Sequence, residues 1–185
     1  QIVGYNFHRG ILACGRRKPI KWVHSDLSRP QASGETLLAV VGVQDPENLG
    51  GILRSCAAFG IRRVILGPGT ADPLARRVLR VSMGCALHLD LYRTHDLLGE
   101  LPRLHDELGI ESVATTLQDD SQPLESAVRS GPILILVGNE RYGLPPELQA
   151  LASRRVRIGM ELGTDSLNVG VAAGVVMHYF SRLQA

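Results

Sequence analysis

Three short stretches of this chain carry polar side chains that a packed core has no use for. Asp45-Pro46-Glu47-Asn48-Leu49-Gly50 and Gly138-Asn139-Glu140-Arg141-Tyr142-Gly143-Leu144 each follow a run of Val, Ile and Leu, and Ser166-Leu167-Asn168-Val169 stands directly before a long apolar helix pattern. Open α/β sheets bind their ligands at such strand-to-loop junctions. Amides, a carboxylate and a hydroxyl gathered there read as an enzyme site. Arg54 belongs with them. It lies one turn after Gly50, and helical side chains lean toward the N-terminus, so it is expected to cross a bare Gly50 toward Asn48. Its guanidinium keeps its proton at neutral pH, so its chemistry is electrostatic help rather than proton abstraction. Plainer roles compete. Asn48 can simply cap a helix, Arg54 can be a solvated surface charge, and Glu140 can cap the next turn or pair with Arg141. A cap explains one of Ser166 and Asn168, but not both.

The elements that must position these residues alternate between strand and helix patterns from Thr36 onward, the signature of a mostly parallel α/β sheet flanked by helices. The strands are expected at Leu37–Val43, Arg63–Leu66, Ala86–Tyr92, Ser112–Thr115, Ile133–Val137 and Arg155–Ile158. Helices are expected at Leu49–Phe59 with Asn48 as cap, at Leu74–Val81 after Asp72-Pro73, from His95 to Leu108, and at Asn168–Leu183. The last has Val175, Val176 and Phe180 on one stripe and Gly170, Ala173 and Gly174 on another, so it is expected to be buried on both sides, by core or by a second copy.

Bulk properties permit such a fold. At 185 residues one domain is the prior, perhaps with part of a second, and 44% apolar with 21% charged residues is ordinary for a globular protein. Cys14, Cys56 and Cys85 show no metal or disulfide spacing and read as reduced thiols in a cytoplasmic protein. No apolar run reaches membrane-helix length. The first residue is Gln1, so a fragment or a processed product is expected. Net charge is only +2, but the basic residues cluster: Arg9, Arg16, Arg17, Lys18 and Lys21 stand together with no acid among the first 21 residues. Phosphate contacts explain that pattern, and so does a solvated face rich in arginine. Ser25 to Gly34 reads as a linker, dividing the chain into residues 1–35 and a domain at 36–185. The usual nucleotide motifs fail. No G-x-G-x-x-G follows a strand, and Gly138 to Gly143 has P-loop spacing but is followed by Leu144-Pro145 instead of Lys-Ser/Thr. No metal or hydrolase motif is present either, so no metal is expected.

Taken together, the three clusters resemble the SpoU branch of the SPOUT RNA methyltransferases. The match continues through Ile52-Leu53-Arg54, includes Val81-Ser82-Met83-Gly84-Cys85-Ala86, and runs from Ile158 through Met160 and Gly163 to Val169, covering about residues 37 to 183 in order. The resemblance implies transfer of a methyl group from S-adenosylmethionine to a ribose 2′-hydroxyl of tRNA or rRNA, a homodimer, and a C-terminal trefoil knot. It implies catalytic roles for Arg54, Asn48, Glu140, Ser166 and Asn168. Thr115, Gly138, Asn139, Gly143, Ile158, Met160, Ser166 and Leu167 would hold the cofactor, with Gly138 and Gly143 admitting it close to the backbone. Asn6 to Ala13 resembles the joint to an RNA-binding domain, and Arg9, Arg16, Arg17 and Arg54 would meet RNA. Aromatic residues are 4%, too few for a stacking platform, so phosphate contacts are expected to dominate. Gly159 stands where the family often has proline, and Gly170 where serine is frequent. The alternative is a non-catalytic RNA-binding module that keeps the fold, and a small-molecule enzyme is a further rival. The whole polar set argues against the first, and the failed nucleotide motifs argue against the second.

Overall fold

Strands that are apolar on both faces fit only in a sheet covered on both sides. The structure, a computed structural model that describes residues 15–17 and 19–183, is built that way. In chain order its strands are β1 (Lys21–Trp22), β2 (Thr36–Val40), β3 (Arg63–Leu66), β4 (Asp90–Arg93), β5 (Glu111–Thr115), β6 (Gln122–Pro123), β7 (Ile133–Val137) and β8 (Arg154–Arg157). The helices are α1 (Val23–Asp26), α2 (Pro46–Ala58), α3 (Arg76–Val81), α4 (Leu97–Asp106), α5 (Pro146–Leu151) and α6 (Val169–Arg182). The sheet has the order β1-β4-β3-β2-β7-β5-β8-β6, and every pairing is parallel. Every residue of the central strands β2 and β7 is buried.

The two layers of helices explain where the loops go. Leu49, Ile52 and Leu53 of α2, Val78 of α3, and Ala173, Val176, Met177 and Phe180 of α6 pack with Leu38, Val40, Ile135 and Val137 on one face. Val23 of α1, Leu97, Leu101 and Leu104 of α4, and Leu148 of α5 pack with Leu37, Ala39, Leu134 and Leu136 on the other. The chain therefore leaves β2 toward one face and leaves the adjacent β7 toward the opposite face. That is a topological switch point, and it opens a crevice beyond the carboxyl ends of the strands.

Several local expectations are corrected. Asp45, not Asn48, caps α2: its carboxylate accepts from the Glu47 N–H at 2.8 Å, and Pro46 takes the first turn. α3 starts only at Arg76, and Asp72 instead closes the preceding turn by accepting from the Leu74 N–H. The strand expected from Ala86 begins at Asp90, because Gly84 turns through the left-handed region (φ 80°) and Cys85–His88 coil into a 3-10 turn. Residues 19–35 are tied to the sheet rather than slack: Lys21 and Trp22 pair with β4, and Val23 and Leu27 are buried. Within a single chain α6 buries one side, so the core does not supply the second cover. Val171 and Val175 are exposed, and a Cβ built on Gly174 would meet open space, since a single chain supplies no second layer there. Cys56 Sγ lies 3.5 Å from Met177 Sδ between α2 and α6, and burial holds its thiol protonated. Cys14 and the segment from Asn6 to Ala13 lie outside the described residues.

Candidate active site

The switch point brings together two loops that are 92 residues apart in sequence. The β7 loop is built by Asn139. Its side-chain oxygen accepts from the N–H groups of Arg141 and Tyr142 at 2.9 and 3.0 Å, and its Nδ2 donates to the Gly42 carbonyl at 2.7 Å. Backbone bonds in both directions between Asn139 and Gly143 close the loop. This geometry delivers Glu140 to the start of α2. Asn48 Nδ2 donates to Glu140 Oε1 at 3.1 Å, and the Asp45 N–H reaches the same oxygen at 3.3 Å. Asn168 completes the lock. Its Nδ2 donates to Asn48 Oδ1 at 2.9 Å, while its Oδ1 caps α6 by accepting from the Gly170 and Val171 N–H groups. Asn168 is thus the cap and Ser166 is not. Ser166 is exposed and has no hydrogen bond to another described residue.

Burial works against ionisation of Glu140, but hydrogen bonds from the Asn48 side chain, its own N–H and those of Asp45 and Gln44 outweigh it and hold the carboxyl below the usual range. A depressed folded-state pKa adds stability above the unfolded-state value, and this is lost as pH falls through the lower folded-state value. Thermal melts from neutral to acidic pH should therefore show wild type losing more stability than Glu140→Gln. Parallel pH profiles would mean that the Asn48–Glu140–Asn168 lock carries no charge-dependent stability.

Beside the lock, beyond the carboxyl ends of β7, β5 and β8, lies a hollow of about 430 Å³. Thr115, Gly138, Asn139, Gly143, Ile158, Met160, Ser166 and Leu167 all line it, as does Glu140. Leu144, Val156, Val169 and Val176 supply further apolar wall. Asn48 and Asn168 touch the hollow only through the lock. Thr115 is partly committed elsewhere, since its hydroxyl donates to the Leu136 carbonyl at 2.9 Å. Among the described residues no group of three or more His, Cys, Asp or Glu is arranged to hold a metal.

Two glycine readings change. A Cβ on Gly138 would fall 2.2 Å from Gly143 C and Leu144 N, so its bare face receives the loop's own backbone. A Cβ on Gly50 would strike Val81 at 2.7 Å, so α3 fills the space that Arg54 was expected to cross. Open space lies instead over Gly51, one turn before Arg54. Arg54 is exposed, makes no hydrogen bond or ion pair to another described residue, and does not line the hollow. Arg17 pairs with Asp72, Arg16 is exposed, and Arg9 is outside the described residues. A side chain on Gly170 would sit 3.1 Å from Asn168 Oδ1, crowding the cap, whereas Gly159 has free space around it.

Sequence reasoning missed Gln149. Its Nε2 donates to the Leu144 carbonyl at 2.8 Å, and its Oε1 is buried without a partner at the wall of the hollow. It rides on α5, whose six residues are too short to show a helical period.

The sequence matches the SpoU rRNA Methylase family over residues 35–178. This chain belongs to that family. Among its SpoU relatives, an uncharacterized tRNA/rRNA methyltransferase of Mycobacterium bovis is 37% identical across 98% of this chain and 62% of its own length. The 23S rRNA (guanosine-2′-O-)-methyltransferase RlmB of Acinetobacter baylyi is 31% identical across 98% of this chain and 74% of its own. Among solved structures, an AdoMet-bound rRNA methyltransferase from Sinorhizobium meliloti superposes with a TM-score of 0.81 at 31% identity, covering 89% of this chain and 61% of that one. The chain thus spans about 62% of the length of the mycobacterial relatives.

Proposed function

We propose that this SpoU chain is the methyl-transfer domain of an S-adenosylmethionine-dependent enzyme that methylates a ribose 2′-hydroxyl of rRNA or tRNA. The observation that carries this reading is the meeting of the eight expected cofactor residues around one hollow, walled beside the Asn48–Glu140–Asn168 lock. The fit is chemical as well as spatial. The hollow is mostly apolar with a few directed polar groups, as small-ligand sites are. The SpoU relatives named as 2′-O-methyltransferases and the AdoMet-bound neighbour support the same assignment.

When bound, the cofactor supplies an electrophilic methyl group on a positively charged sulfur. The work left to the protein is placement, which alone yields effective molarities of about 10⁵–10⁸ M for well-oriented partners. Leu144, Ile158, Met160 and Leu167 would hold the apolar part of the cofactor and exclude water. The Asn48–Glu140–Asn168 lock keeps the β2, β7 and α6 loops in register at the edge where the ribose must arrive. Arg54, always protonated, would hold an RNA phosphate or stabilise the developing alkoxide.

We read the assembly as a homodimer. The exposed Val171 and Val175 of α6 offer a face for a second copy, in which Arg54 of one chain would meet the hollow of the other. We read the C-terminal part as a trefoil knot. Supporting this, the segment after β8 returns past residues 116–118 and 140–143 at one edge before α6 packs on α2. Residues 1–35 are then the joint from an RNA-binding domain, of which Lys21 and Trp22 pair with the sheet as β1, and residues 36–185 the methyltransferase domain. The free thiols Cys56 and Cys85 fit a cytoplasmic protein, and no helix among the described residues is long and apolar enough to cross a membrane.

The test combines calorimetry with S-adenosylhomocysteine and tritium-methyl labelling of rRNA and tRNA pools. Submillimolar binding and label at a ribose are expected. Binding of neither cofactor product nor label would overturn the reading, and label on a base would move the acceptor atom. Sedimentation of the same sample as a monomer at micromolar concentration would end the dimer.

A further inference from the structure

A second hollow, of about 520 Å³, lies on the other side of the β7 loop and shares Asn139, Tyr142, Gly143 and Leu144 with the first. Its far wall holds Pro68 and His95. The His95 ring continues outward into a cluster at the β1–β4 edge of the sheet. The Trp22 ring lies 4.9 Å from His95 and 5.8 Å from His24, and the Arg93 guanidinium stands 5.9 Å from the Trp22 ring. Core packing does not require this arrangement: His24, Arg93 and His95 are exposed, and Trp22 is half-buried.

The charges nearby favour an anion-bearing ligand. The acids around the rings are already engaged, although the Glu147 side chain on the α5 wall of the hollow has no hydrogen bond or ion pair with another described residue. Asp26 accepts from the Trp22 N–H, Asp72 pairs with Arg17, Asp90 lies between Lys21 and Arg62, and Asp96 caps α4. The Arg93 side chain has no hydrogen bond or salt bridge with another described residue; the carboxylate that feels its charge, Asp72, is already bonded to Arg17, so the guanidinium can still take an anion beside the rings. Flat rings with an unpaired guanidinium bind single-stranded nucleic acid by stacking bases and neutralising phosphate.

We propose that Trp22, His95 and Arg93 form a stacking station for an unpaired base of the substrate RNA, leading along the second hollow to the Tyr142 loop. This rests on the RNA reading above and adds to it a sequence-tolerant contact at the opposite end of the track from the methyl-transfer hollow. Edge strand β1 thereby gains a role that the small aromatic content of the chain concealed, because the station combines a single Trp with histidine rings that the aromatic count leaves out.

The chain contains one tryptophan, so its emission reports on this site alone. The 185-residue chain is titrated with a labelled oligoadenylate of about a dozen nucleotides, within the span of known single-strand sites. An abasic ribose-phosphate strand of equal length serves as control. Oligoadenylate is expected to quench Trp22 and the abasic strand to leave it unchanged. Trp22→Ala and His95→Ala should each weaken oligoadenylate binding about tenfold by anisotropy, and Trp22→Phe should restore most of it. S-adenosylhomocysteine affinity should stay constant in all three. Oligoadenylate binding that leaves Trp22 emission unchanged, or an undiminished affinity in Trp22→Ala, overturns the station and leaves the methyltransferase reading intact. Failure to bind any RNA, with no label transferred to RNA, sinks both.

Discussion

Arg54→Ala should lower single-turnover methyl transfer by about 10²–10³-fold, the usual cost of removing one preorganised charge from a developing anion. Its melting temperature should hardly move, because exposed side chains without partners contribute within about 0.5 kcal/mol. Arg54 is such a residue among those described, and its proposed partner is the RNA phosphate or developing alkoxide rather than the cofactor, so S-adenosylhomocysteine affinity should also hold. The combination is diagnostic: chemistry lost, fold and cofactor site kept. Arg54→Lys separates two roles. A lysine retains a point charge but not the planar fork, so substantial rescue would indicate simple charge stabilisation, and no rescue would indicate bidentate phosphate contact. Turnover retained in Arg54→Ala would remove this arginine from the mechanism altogether.

How far such a site is legible before folding depends on the range of the interactions that define it. β3 and β7 were readable to the residue because fully buried parallel strands must be apolar on both faces. That a polar residue just before α6 caps it was readable, because a cap acts on its own neighbours, but which of Ser166 and Asn168 does so emerges only from the bonds to Gly170 and Val171. β1 and β6, at two residues each, carry no periodicity, and the six-residue α5 hid Gln149 in the same way. The true partner of Asn48 was hidden for another reason. Its bond to Glu140 exists only because β7 inserts beside β2, and strand order is not written in any local pattern. What the family resemblance contributed was the grouping: Thr115, Ile158 and Leu167 have no local feature linking them, yet they line one hollow. The exposed face of α6 shows the opposite limit. Its small and branched residues suited a core equally well, and only the folded chain reveals that nothing of its own covers Val171 and Val175.

Glycines mislead in a particular way: a missing Cβ says that something comes close, not what it is. At Gly50 it is Val81, and at Gly138 it is the backbone of Gly143 and Leu144. The second case yields a sharp expectation. A methyl group on Gly138 would stand 2.2 Å from two backbone atoms and 2.4 Å from the Gly143 oxygen, none of which can rotate aside as a side chain could. The loop itself must move. Moving it breaks the Asn139–Gly143 bridge and shifts Glu140 away from Asn48, so the hollow loses a wall and the lock loses its carboxylate together. Gly138→Ala should therefore cost about 1–3 kcal/mol as overpacking, a drop in melting temperature of roughly 5 °C for a domain of this size. S-adenosylhomocysteine affinity should fall by at least about tenfold, which is equivalent to only 1.4 kcal/mol of lost binding. Gly159→Ala is the matched control, since a Cβ there meets nothing within 4 Å and should leave both readouts unchanged. If the two variants bind S-adenosylhomocysteine equally well, then either the β7 loop yields without consequence or the cofactor lies elsewhere. Calorimetry on the pair, backed by a melt to confirm that each is folded, decides between a rigid cradle and an incidental hollow.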